Sequence, residues 1–150
     1  MIDGDVSLEG IFIDAKTALT YEVYFNNEFV YSTVVNGAKT GAVTIPEGLR
    51  RDYVELTADK QTITSLPATV RINATWTAPM KVATPADTIW YNLKVSNQPR
   101  WVSSGNYTPN VYFIDETYIT TDYALWALTG NPYSGFRLIN KAMGLSLIHI

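Results

Sequence analysis

Only a few side chains in this sequence are equipped for covalent or acid–base chemistry. There is one histidine, His149, and no cysteine. A serine or cysteine nucleophile needs a histidine base held by a third group, so one histidine beside the chain end does not supply such a triad. A zinc site needs three or four ligands of the right type, and one histidine falls short. Asp115, Glu116 and Asp122 are the nearest approach to a carboxylate pair for glycoside hydrolysis. Adjacent residues on a strand point to opposite faces, so Asp115 and Glu116 do not converge. Asp3-Gly4-Asp5 is too short for a calcium loop. Gly130 to Gly135 does not read as a phosphate cradle, because no helix follows and Pro132 removes an amide donor. The expectation is a non-catalytic protein with no metal and no cofactor.

Aromatic side chains are the richer resource: ten Tyr, four Trp and five Phe. Trp101, Tyr107, Tyr112 and Tyr133 fall on or beside loops, and these four are the candidate ligand-binding residues. A flat ring can stack on a sugar face, and it loses little conformational entropy when ordered. For Trp101 and Tyr133 packing of the lobe is the favoured reading. Trp76, Tyr91, Leu93, Trp126, Phe136 and Leu138 are the expected structural core.

The elements that must position these residues read as strands. Tyr21, Val23 and Phe25 alternate with Glu22 and Tyr24, the period of a half-buried strand. Asn26-Asn27 suits a tight turn, and Phe29 to Val35 reads as the returning strand. Asn36-Gly37 is another turn signal. Ala38 to Leu49 is loose, with a short helical turn expected near Glu47 to Arg51. Val70, Ile72, Ala74 and Trp76 alternate cleanly with Arg71, Asn73 and Thr75. Further short strands are expected at Trp90–Val95, Arg100–Val102, Val111–Ile114, Tyr118–Ile119, Ala124–Leu128 and Phe136–Ile139. Many short strands with turn signals between them mean an all-β sandwich or barrel. The proposed domains are a small antiparallel β-sandwich-like module over 10–79, a linker over 80–89 and a second part over 90–144.

The balance of charge removes other classes. The net charge is −3 and charged residues make up 17% of the chain. Nucleic-acid binding needs a clustered basic face, which is lacking. No apolar run is long enough to cross a bilayer, so no membrane insertion is expected. Met1 to Asp5 has neither the basic nor the apolar region of a signal peptide. An export signal, if the protein has one, is therefore expected upstream of Met1.

The second part resembles the ricin-type β-trefoils of exported gut Bacteroidetes proteins. The residues that carry the resemblance are Trp90-Tyr91-Asn92-Leu93, Tyr123 to Leu128, and the run from Gly130 to Ala142. The echo between Trp90–Val95 and Gly135–Asn140, an aromatic followed two residues later by leucine, has the spacing of trefoil lobes. The module before it, with Tyr21–Phe25 and Ala74-Thr75-Trp76, resembles a domain often placed ahead of such trefoils.

The resemblance implies lobe one and the start of lobe two of an incomplete trefoil. It implies a carbohydrate-binding accessory module of a larger secreted or cell-surface protein. The partners would be a glycan or polysaccharide and the other domains of that parent. Residues 145–150 depart from the family pattern and read as an artefactual tail. In the family an acidic residue, a stacking aromatic and an amide near a Gln-x-Trp motif grip the sugar. Here Ala124-Leu125-Trp126 lacks the glutamine, and Ser103 and Ser104 stand where the acid would fall. These departures support an alternative, a structural spacer or adhesion module without sugar affinity. Asp87-Thr88-Ile89 is similar to the short O-glycosylation motif of the same exported proteins.

Overall fold

The computed structural model describes residues 13–105, 110–144 and 146–149. Among them the strands run β1 (Leu19–Phe25), β2 (Glu28–Val35), β3 (Gly41–Ala42), β4 (Val54–Ala58), β5 (Thr62–Ile63) and β6 (Ala68–Trp76). They continue as β7 (Trp101–Ser104), β8 (Val111–Ile114), β9 (Trp126–Asn131), β10 (Gly135–Asn140) and β11 (Ser146–His149). Among the described residues helical structure is confined to single 3-10 turns at Glu47–Leu49, Glu116–Tyr118 and Asp122–Ala124. The protein is all-β, built from small antiparallel sheets. Among the described residues no helix is long and apolar enough to cross a membrane.

The chain divides into two compact units: Met1–Pro46 with Thr57–Asn73, and Glu47–Leu56 with Ala74–Ile150. β4 and β6 each contribute residues to both. One sheet has the strand order β2-β1-β6-β4.

In the first unit, alternation decides which side chains are buried. Leu19, Tyr21, Val23 and Phe25 of β1 are buried, while Thr20, Glu22 and Tyr24 lie on the other, half-exposed face. Val70 and Ile72 of β6 are fully buried, with Arg71 between them on the outer side. Each such aliphatic stabilises the fold by about 1.5–3 kcal/mol. The β1–β2 hairpin turns on Asn26 and Asn27, at φ 51° and 66°. Two consecutive positive φ values define the type I′ turn, whose twist matches that of the strands it joins. On the outer face Tyr24 stacks edge-on against Phe29, and the Arg71 guanidinium lies 3.9 Å from the Tyr24 ring centroid. The short β3–β5 pair completes this unit.

In the second unit Trp126, at 1% exposure, is the largest fully buried side chain, and Ala124, Ala127, Leu128 and Leu49 are buried with it. Its indole N–H donates to the Val102 carbonyl at 2.9 Å. β9 and β10 pair from Asn131↔Gly135 to Asn140↔Trp126. The Asn131 side-chain oxygen accepts the Tyr133 and Ser134 amides, each at 2.9 Å, and so holds the hairpin turn. β11 pairs with the other edge of β10. Trp76 packs on Phe136 at a centroid distance of 4.7 Å and donates its indole N–H to the Met80 carbonyl.

Two strand expectations need correction. Tyr118 lies in a 3-10 turn and Ile119 caps it. There the Tyr118 and Ile119 amides donate to Asp115 and Glu116, and the Thr121 hydroxyl donates back to the Tyr118 carbonyl. Local partners of this kind compete with a ladder. Trp90–Val95 alternates in sequence yet forms only isolated bridges, because it changes partner along its length. Tyr91 exchanges two backbone hydrogen bonds with Trp126, whereas the Leu93 carbonyl and Val95 amide turn to Val102 and Arg100.

Candidate ligand-binding site

The partner change in residues 91–95 creates the site. Once Lys94 bridges Trp101, the Val95 amide donates to the Arg100 carbonyl at 2.9 Å and closes a small loop, Ser96 to Pro99. Asn97 sits at φ 60°, a conformation that asparagine tolerates better than most residues. An open surface cleft of about 450 Å³ runs along this loop, lined by Lys94, Val95, Ser96, Asn97, Gln98 and Pro99.

Of the lining residues, Lys94 reaches Trp101: its ammonium lies 5.4 Å from the ring centroid. In the β7–β8 ribbon Trp101 is opposite Ile114 and Ser103 is opposite Tyr112. Trp101 and Tyr112 are therefore diagonal neighbours on one face of the ribbon. Trp101 is half-buried and Tyr112 is 47% exposed. Two of the four candidate aromatics are thus brought together.

Tyr133 is committed to other partners. Tyr107 lies outside the described residues. Tyr133 is half-buried and donates its hydroxyl to the Leu49 carbonyl at 2.7 Å. The Arg51 guanidinium lies over its ring at 4.9 Å. Burial pushes its phenol above the ordinary value, and the Arg51 charge works against that rise. A ring held at both its hydroxyl and its face is poorly placed to take a ligand.

Of the expected core, Trp126 is fully buried, and Trp76, Tyr91, Leu93, Phe136 and Leu138 are half-buried. Tyr91 accepts the Lys81 amide at its hydroxyl.

Ser103 and Ser104 are buried and occupied internally. Ser103 donates to the Ser104 and Tyr123 carbonyls, and Ser104 donates to the Asn140 side-chain oxygen at 2.9 Å. Asn140, fully buried, gives its amide protons to the Tyr123 and Leu125 carbonyls. Its oxygen also accepts the Ala142 and Met143 amides. This polar knot is structural.

Two of the three candidate carboxylates are paired with cations. Asp115 pairs with Arg100 at 3.2 Å and Asp122 with Lys141 at 2.8 Å. Among the described residues no group of three His, Cys, Asp or Glu side chains could hold a metal. The Asp3-Gly4-Asp5 segment and the side chain of His149 lie outside the described residues.

Sequence reasoning passed over Lys94, Asn97 and Gln98. The available signal was Ser96-Asn97-Gln98-Pro99, a run of turn residues between two strand-like segments. No protein-family model, curated protein or solved structure matches this chain.

Proposed function

We propose that this chain is a non-catalytic carbohydrate-binding module, an accessory part of a larger secreted or surface protein, with residues 90–144 opening a ricin-type β-trefoil. The observation that carries the reading is the diagonal pair Trp101 and Tyr112 on one ribbon face, with the Trp101 ring 5.4 Å from the ammonium of Lys94, which lines an open cleft with two amides and a hydroxyl. Aromatic faces take the C–H side of a sugar ring, while amides and hydroxyls take its hydroxyl groups. The test is affinity electrophoresis of the whole chain through gels containing a panel of soluble polysaccharides. At least one polysaccharide retards the chain, and Trp101→Ala abolishes most of that retardation. A chain that migrates unretarded through every gel rejects the reading.

A second reading is a structural spacer without sugar affinity. It is favoured by Ser103 and Ser104, whose hydroxyls are spent on internal partners at the positions where the resemblance would put a sugar-gripping acid. It predicts no retardation and a melting temperature unmoved by added sugars.

A further inference from the structure

We propose that the ligand of the Lys94–Pro99 cleft is an acidic sugar, a uronate whose carboxylate is taken by Lys94 and the neighbouring amides while its ring lies on Trp101. This deepens the carbohydrate-binding reading and rests on it.

No acidic residue lines the cleft, and Lys94 is its one charged group. Among the described residues Lys94 has no carboxylate partner, whereas Arg100, just beyond the loop, is already paired with Asp115. The ammonium instead lies over the Trp101 ring. At an exposed site that attraction is weak and the lysine stem is flexible, so an incoming anion can draw the ammonium off the ring into the cleft. The same movement uncovers the aromatic face for the sugar. Asn97 and Gln98 each supply two N–H donors, which suit the acceptor-only oxygens of a carboxylate.

The chain as a whole carries a net charge of −3, so it has no general attraction for polyanions. Charges more than about 8 Å away are screened at physiological salt, which leaves the local cation to decide. A sulfate ester presents a similar oxyanion, and the experiment separates the two sources.

The whole chain is run in gels containing polygalacturonate, its fully methyl-esterified form, or a sulfated galactan at matched concentration. Polygalacturonate is expected to retard the chain at least fivefold more strongly than either other polymer. Lys94→Gln should abolish that preference while leaving the melting temperature unchanged, and Lys94→Arg should keep it. Equal retardation by the acidic and esterified polymers overturns the uronate inference and leaves the carbohydrate reading standing. Stronger binding to the sulfated galactan also overturns it. Failure to bind these and every other polysaccharide tested overturns both.

Discussion

Asn140 shows how much one polar side chain can fix. It is fully buried at the end of β10 and engages five partners through two atoms. Those partners lie on β7, on the 3-10 turn before β9 and on the turn after β10, so a single amide ties three segments together. Removing it leaves the Ser104 hydroxyl and the Met143 amide without that acceptor, at about 1–3 kcal/mol for each unsatisfied group, while the Tyr123 and Leu125 carbonyls keep Ser103 and Lys141 as donors. Asn140→Ala is therefore expected to lower unfolding free energy by at least about 2 kcal/mol, measured by urea denaturation. Two tyrosines set the alkaline limit at the same scale. Tyr21 and Tyr133 donate to the Thr44 and Leu49 carbonyls, and burial raises both phenols above their ordinary value of 10.0. A folded pKa above the unfolded one means that the unfolded chain releases its proton first. Stability is then fully present below pH 10.0 and falls as pH rises through the folded values. The melting temperature should decline above that pH, and Tyr133→Phe should flatten part of the decline. The aromatics were legible in the sequence as types but not in their commitments. Tyr133 meets a carbonyl 84 residues away and Asn140 a hydroxyl 36 residues away, and no local pattern encodes such partners.

At the scale of elements, strands with a strict two-residue period were readable because one face must be buried whatever the partner. β1, β6 and β8 answer to that rule or to simple β-propensity, and the Asn26-Asn27 turn follows from the residues that tolerate positive φ. Trp90–Val95 and Tyr118–Ile119 escaped it because hydrogen-bond partners, not periodicity, decided their form. The hairpin turns allow a graded test. Asn27→Ala places a Cβ-bearing residue without a compensating side-chain amide at φ 66°, and should cost about 1–2 kcal/mol. Asn27→Gly should change stability by no more than about 0.5 kcal/mol. Gly130→Ala is the harsher change. At φ 100° its Cβ would fall against the Gly135 carbonyl oxygen and the Phe136 Cα, both backbone atoms of the paired strand. Neither can move without opening the β9–β10 ladder. Thermal unfolding should rank Gly130→Ala well below Asn27→Ala, and a near-wild-type melting temperature for it would contradict the hairpin geometry.

At the scale of the whole molecule, sequence order and spatial grouping diverge. Glu47–Leu56 and the residues from Ala74 onward belong to one compact unit, although a separate stretch, Thr57–Asn73, intervenes between them. Turn-forming residues at 80–89 mark a change of composition, but punctuation in sequence does not determine which distant segments share a core. Within this second unit Leu49 is buried and its carbonyl receives the Tyr133 hydroxyl. Arg51 covers the Tyr133 ring, and Trp76 packs against Phe136. A chain that starts at residue 80 lacks all of these. Losing a large packed aromatic such as Trp76 costs about 3–5 kcal/mol, comparable with the whole stability of a small domain. Residues 80–150 expressed alone should therefore be cleaved within β9 and β10 at protease concentrations that leave the same strands intact in the full chain. Adding back 47–79 in the same polypeptide should restore protection. Equal protection of the short and full chains would show that Leu49, Arg51 and Trp76 contribute no stability to β9–β10, and that residues 80–150 fold on their own.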